Sequence, residues 1–170
     1  MATIKTTYRA SADLTVTALA GGIASSATWV AGWTSGTIDN TTNLDLDILL
    51  SAKITVESSG LTAGEIRVYI YAMLDDTNWP DVFSAGTEGT EGTATIHDTN
   101  VRDSHFRMIW STATDTTASQ VYPMPKSSVA SLFGGVCPSK FAVFITHSTV
   151  AALETSGQQV TTQGVYFTST

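Results

Sequence analysis

Between residues 44 and 56 every second position is apolar: Leu44, Leu46, Ile48, Leu50, Ala52, Ile54 and Val56. Asp45, Asp47, Ser51, Lys53 and Thr55 lie between them, and Leu49 is the one break in the polar set. Successive side chains of a strand point to opposite faces, so the alternation predicts a long strand with its even positions inward. A slip of one residue would drive Asp45, Asp47 and Lys53 into the core, which fixes the register. The stretch is at the upper end of usual strand lengths, and a bend or bulge is expected near Leu49.

The same reading gives strands over 13–19 (Leu14, Val16, Ala18), 27–33 (Trp29 and Trp33 around Val30), 65–74, 105–111, 121–124, 141–146 and 162–168. In 65–74, Ile66, Val68, Ile70, Ala72 and Leu74 form one face, and Arg67, Tyr69, Tyr71 and Met73 form the other. This strand is expected to pair antiparallel with 44–56 across the Ser58–Gly64 connection, with its half-aromatic face partly covered. Phe106, Met108 and Trp110 are expected inward. Phe141, Val143 and Ile145 form a core face, and Val165 and Phe167 close the sheet. Pro123 and Pro125 suit an edge strand. Residues 126–133 fit a strand or a helical turn equally, ended by Gly134-Gly135, and 93–96 suits a short strand.

Residues 1–11 read as a polar N-terminal arm with two apolar hooks, Ile4 and Tyr8, and 12–170 as a single β domain. Segment 75–104 has little periodicity and is expected to be a long loop, functional or flexible. Its Gly86-Thr-Glu-Gly-Thr-Glu-Gly92 repeat is too short to be architectural. The sum, about eight to ten short strands without a long helix, predicts an all-β antiparallel sandwich or barrel, jelly-roll-like.

Composition narrows the partners. A chain of 170 residues is one domain by size and needs no disulfide to hold it. Its single cysteine, Cys137, has no partner for an internal bridge. A net charge of −7, with eight scattered basic residues, disfavours a nucleic-acid partner. No apolar run is long enough for a membrane helix. The N-terminus lacks the apolar core of a signal peptide, so the protein is expected to be made and kept in a cytoplasm or released by a route other than secretion.

Candidate chemistry thins out on inspection. Asp39, Asn43, Asp45 and Asp47 lack the glycine and terminal glutamate of a calcium loop, and solvation on one strand face accounts for Asp45 and Asp47. Asp75-Asp76 reads as a turn opener. His97, His105 and His147 have no ligand spacing, no nucleophile elbow surrounds Ser148, and Cys137 reads as a buried thiol. No catalytic, cofactor or metal residue is expected. Trp29, Trp33, Trp79, Tyr69 and Tyr71 offer a sugar platform or, more in keeping with aromatic usage, core and subunit interface. Trp79, before Pro80, is the least core-like.

The stretches Ala27-Thr-Trp-Val-Ala-Gly32, Ile38-Asp-Asn-Thr-Thr-Asn-Leu-Asp-Leu46, Ser51-Ala-Lys-Ile-Thr55, 66–76 with Pro80-Asp-Val82, Ser128-Val-Ala-Ser-Leu-Phe-Gly-Gly135 and 141–147 carry a resemblance. They resemble the capsid decoration (cement) proteins of tailed bacteriophages, small structural proteins encoded beside the major capsid protein. The likeness does not extend over 87–95. It implies a virion protein, assembled in a host cytoplasm, that binds the capsid exterior as a homo-trimer, with the major capsid protein as partner. Contacts are then expected from residues 1–11 and the 75–104 loop, with Ile4, Tyr8, Arg9, Trp79 and Asp81 as candidates. The alternative is a carbohydrate-binding sandwich on the virion or a fibre.

Overall fold

The computed structural model describes residues 3–169; positions 1–2 of the expected arm and 170 of the expected domain lie outside the described residues. In chain order the elements are β1 (Ile4–Tyr8), β2 (Ala12–Asp13), β3 (Ala31–Thr34), β4 (Ile38–Asp39), β5 (Asp47–Thr55), β6 (Gly64–Ala72), β7 (Phe83–Ala85) and β8 (Gly92–Ile96). Helix α1 (Thr99–His105), β9 (Arg107–Thr114), β10 (Val121–Ser128), a 3-10 turn at Ala130–Phe133, β11 (Lys140–His147) and β12 (Gln159–Ser169) complete the chain.

Two antiparallel sheets form an all-β sandwich. One runs β1-β12-β5-β10 with β2 also on β12, and the other runs β7-β8-β3-β11-β6-β9 with β4 on β11. The even positions of β5 are the reason the sheets meet. Leu50 and Ile54 are fully buried against Ile66, Val68, Ile70, Val143 and Ile145 of the opposite sheet. Burying such side chains stabilises by roughly 1.5–3 kcal/mol each before entropy is counted.

The second sheet is covered on both faces. On its far side Tyr69, Tyr71, Ala142 and Phe144 pack against Val82, Phe83, Ala94, Ile96 and Phe106. The sheet curls so that β7 and β8 fold over the aromatic face of β6, as a half-aromatic outer face requires. Segment 75–104 is therefore structured rather than a loop: it supplies two strands, α1 and half of a second apolar cluster.

Other expectations are revised. Strand β6 pairs with β11 and β9, in the sheet opposite β5, so the 56–64 connection crosses the sandwich. Of the expected 13–19 strand only Asp13 lies in a strand, as the end of β2, because Ala20 N–H bonds Val16 O (2.8 Å) and Gly21 N–H bonds Ala18 O (3.1 Å), rolling the chain inward to bury Leu19. Trp29 precedes β3 with φ +54, its ring under the Arg67 guanidinium at 3.8 Å. The irregularity near Leu49 lies in the partner strand, between Met124 and Ser127, where Pro125 and Lys126 oppose Ser51. Strand β10 is an edge, as its prolines require. A shift between Val68 and Tyr69 turns Met108 outward, leaving it 49% exposed.

Candidate docking surface

Val160, Gly164 and Ala52 set the faces of β12: Val160 opposes Ala52 and Gly164 opposes Ile48, both inward positions of β5. Val165 and Phe167, expected to close the sheet, consequently lie on its outer face. Strand β5 begins at Asp47, opposite Val165, so among the described residues β1 alone pairs with 166–169. The outcome is a two-stranded ribbon of 4–8 and 165–169 that continues past the sandwich, roughly 14 Å long at a strand's rise per residue. Its register places Ile4, Thr6, Tyr8, Val165 and Phe167 on one face. Ile4 is 70% exposed, Tyr8 57% and Phe167 60%.

Arg9 fixes the root of the ribbon. Its Nε donates to Asp45 Oδ1 at 2.7 Å, its Nη2 to Asn43 O at 3.3 Å, and its guanidinium sits 4.6 Å from the Tyr166 ring centre. Asp45 is buried, contrary to the solvated strand position expected, because the chain turns at Leu44 (φ +50) before β5 starts. Asn40 completes the turn: its Nδ2 donates to Asp45 O (2.9 Å) and its Oδ1 accepts from Asp45 N–H (2.8 Å). Only glycine fits at 164, where a Cβ would collide with the Asp45 carboxylate. The turn leaves Leu44 74% and Leu46 45% exposed beside the ribbon.

The same end of the sandwich carries a groove of about 650 Å³, lined by Leu74, Asp75, Pro80, Phe133, Val136 and Cys137 among others. It is the same end because β5 and β11 start there: Ala130 N–H bonds Asp47 Oδ1 (2.8 Å) and Asn40 N–H bonds Ser139 O (2.8 Å). Leu74 and Val136 on its rim are 69% and 71% exposed. Ten large apolar side chains are exposed among the described residues, and eight of them lie at this end; Val121 and Val150 lie at the other. Apolar exposure concentrated this way marks an interaction surface rather than ordinary scatter.

Of the five candidate contacts, the ribbon gathers Ile4, Tyr8 and Arg9, the last as an anchor. Trp79 is half-buried, its ring 5.2 Å from that of Tyr71, and exposed Asp81 (φ +50) follows the groove wall at Pro80. Phe167, Leu44, Leu46, Leu74 and Val136 escaped sequence reasoning. Leu44, Leu46 and Leu74 occupied positions that alternation assigns to an apolar strand face, Phe167 was read as closing the sheet, and Val136 had no periodic signal.

Among the described residues, no three His, Cys, Asp or Glu side chains are grouped to hold a metal ion. Burial, aided by the nearby Asp47 charge, pushes the Cys137 thiol up to about 12. Ser104 Oγ lies 2.8 Å from His105 Nδ1 at the groove edge, but its proton is directed to Asn100 O (2.8 Å), a helical back-bond and not an activated nucleophile. Asp75 is held well below the usual carboxylate range by the Asn78 amide and the Thr77 and Asn78 N–H groups, which fits its role as a turn opener. Trp33, Tyr69 and Tyr71 are buried and Trp29 is stacked under Arg67, so the aromatic set does not present an open platform. No helix is long and apolar enough to cross a membrane among the described residues. Neither a known protein family nor a curated protein matches the sequence.

Proposed function

We propose that this protein is a structural virion protein that binds the outer surface of a tailed-phage capsid and reinforces it by bridging capsomers. The observation that carries the reading is the concentration of exposed apolar side chains at the ribbon end, on a chain of net charge −7. A cement protein needs one adhesive end and an otherwise well-solvated exterior. Modest contacts of this kind gain strength when repeated across a lattice. The stretches that resemble cement proteins point the same way, and the major capsid protein is the partner in this reading.

The test is co-sedimentation of purified protein with expanded capsid shells and with unexpanded precursor shells. Saturable binding to expanded shells is expected, weakened about ten-fold or more by Leu44→Asp, as for an interface anchor, and unchanged by Val121→Ser at the opposite end. Failure to bind either shell removes the reading, and glycan binding is then the next assay.

A further inference from the structure

The two sheets end in β1, β10, β7 and β9, and three of these edges are guarded. Strand β10 carries Pro123, Pro125 and Lys126, β1 carries Lys5, and β7 is three residues long and breaks register against β8. Proline, lysine and shortness are the usual means of keeping an edge from pairing. Strand β9 runs for eight residues without proline, bears no charge from Met108 to Thr114, and is irregular only beside Ile109. Alternation shows which of its backbone groups stay open. Ser148 N–H bonds Glu65 O (2.9 Å) and Glu65 N–H bonds Ser148 Oγ (3.0 Å), so the peptide groups of Glu65 face β11. Those of Gly64 and Ile66 then face β9, and Gly64 N–H bonds Thr114 Oγ1 at 3.1 Å. Ile66 opposes Thr112, so Thr112 turns its N–H and C=O to β6, while Ser111 and Ala113 turn theirs outward. Among the described residues the one bond to these four outward groups is a long contact from Thr112 Oγ1 to Ala113 O (3.3 Å).

We infer that β9 of a second copy pairs antiparallel with this edge about a two-fold axis at Thr112, joining the two sheets into one. A row of alternating donors and acceptors is satisfied by another extended backbone. The register makes β9 its own match. With Thr112 opposite Thr112, Ser111 of each copy opposes Ala113 of the other, and all four outward groups bond in reciprocal pairs. The side chains agree. Ser111 and Ala113 are small and lie on the face of Arg67 and Glu65, while on the inner face Thr112 meets Thr112 and Trp110 meets Thr114. Each chain carries −7, and an approach through 108–114 sets no like charges opposite one another. The guarded edges do not offer this: the prolines of β10 lack an N–H, and β1 paired with its own copy brings lysines together. The contact is isologous and closes at two copies. It goes beyond capsid binding, does not rest on it, and leaves Ile4, Tyr8, Phe167, Leu44 and Leu46 uncovered.

The experiment is sedimentation velocity on the purified chain over a concentration series reaching the sub-millimolar range, where wild type is expected to become a dimer. Ala113→Pro removes an N–H that faces outward and none that faces β6. It is expected to weaken dimerisation about ten-fold or more, since two bonds are lost per dimer. Ser111→Asp keeps the whole backbone, sets carboxylates near the axis and is expected to act likewise, so a folding defect of the proline variant does not decide the test. Thr112→Cys meets its own copy with Cα atoms about 4.5 Å apart, within disulfide reach, and is expected to oxidise to a covalent dimer. Leu44→Cys, exposed on the other sheet's side, is expected to stay monomeric under the same oxidant. The Ser111 and Ala113 amides are expected to gain hydrogen-exchange protection as concentration rises. A wild type that stays monomeric, an assembly of three or more, a Ser111→Asp chain that dimerises like wild type, or a Thr112→Cys chain that forms no covalent dimer each overturns the inference. A dimer that ignores capsid shells leaves this contact standing and removes the cement reading; a monomer that sediments with shells does the reverse.

Discussion

Arg9 Nε lies 2.7 Å from Asp45 Oδ1, joining the end of β1 to the turn before β5, with the Asp45 side chain 3% exposed and that of Arg9 37%. The pair ties the ribbon to the sandwich. Truncating the arginine leaves a buried carboxylate without its cation, which costs 3–5 kcal/mol in a fully buried pair; Arg9 is partly solvated, so about 1–3 kcal/mol is expected. Arg9→Ala should therefore lower the midpoint of denaturant unfolding and strip hydrogen-exchange protection from residues 4–8 first. Asp45→Asn, which keeps an acceptor for Arg9, should cost less. Equal stability of Arg9→Ala and wild type would show that β1 is held by its ladder to β12 alone.

Glu91 does similar work in the second sheet. Its Oε1 accepts from the Trp33 indole N–H at 2.7 Å and from Ala18 N–H at 2.8 Å, and Trp33 is fully buried. Glu91→Ala leaves both donors without an acceptor, at about 1–3 kcal/mol for the buried one. For a chain of this size each kcal/mol moves the melting temperature by about 2–4 °C. Glu91→Gln retains one acceptor oxygen and should lose less than half as much. The comparison separates the hydrogen bonds from the charge: if Gln and Ala variants melt together, the charge was the contribution.

These glutamates also show where sequence reading stops. The alternation from Ile48 to Ile54 needs only local geometry, so the strand, its inward face and the all-β class were legible. The prolines of 121–125 disclosed an edge for the same reason. Alternation assigns faces and not partners, so nothing local indicated that β6 pairs with β11 and leaves β5 to β12 and β10. The Gly86–Gly92 repeat read as a polar loop, yet Glu88 Oε1 accepts from Val82 N–H (2.8 Å) and Phe83 N–H (3.2 Å), and Glu91 anchors Trp33. Glu88 caps N–H groups across its own loop and Glu91 accepts from donors far along the chain, and no periodic signal marks either bond. In the docking surface, Ile4 and Tyr8 stood out as apolar residues in a polar segment. Phe167, Leu44 and Leu46 did not, since they matched a strand pattern that a turn at Leu44 and a glycine at 164 redirect.

His147 gives a pH signature. The ring is fully buried, with Nε2 3.0 Å from Ile23 O and Nδ1 2.9 Å from Thr149 Oγ1. A carbonyl only accepts, so Nε2 carries the proton and Nδ1 accepts from the threonine. Burial lowers the imidazole below its ordinary 6.5. The unfolded chain thus binds a proton near pH 6.5 that the folded one refuses, and stability falls as pH drops below that value, by at most about 1.4 kcal/mol per unit. The carboxylates held low, such as Glu65 and Asp13, have ordinary values of 4.5 and 3.8, so their stabilisation is lost only at still lower pH. Urea midpoints at pH 7.5 and pH 5.2 should differ in wild type, and the difference should shrink in His147→Gln. An identical shift in the variant would assign the effect to other groups.

Cys137 reports on the groove it lines. Cys137 is 9% exposed and its thiol is pushed up to about 12 from an ordinary 9.0, so at pH 8 its thiolate is far scarcer than that of an ordinary cysteine. Ellman's reagent should label the native protein slowly, at a rate set by opening of the 132–139 segment, and label urea-unfolded protein at once. Burial and proton affinity act together here, because the apolar wall that hides the sulfur also denies the thiolate solvation. Val136→Ala removes a rim side chain without touching the floor, and should leave labelling of the isolated monomer nearly unchanged. Labelling of the native protein as fast as that of the unfolded chain would show that the 132–139 segment does not shield the sulfur.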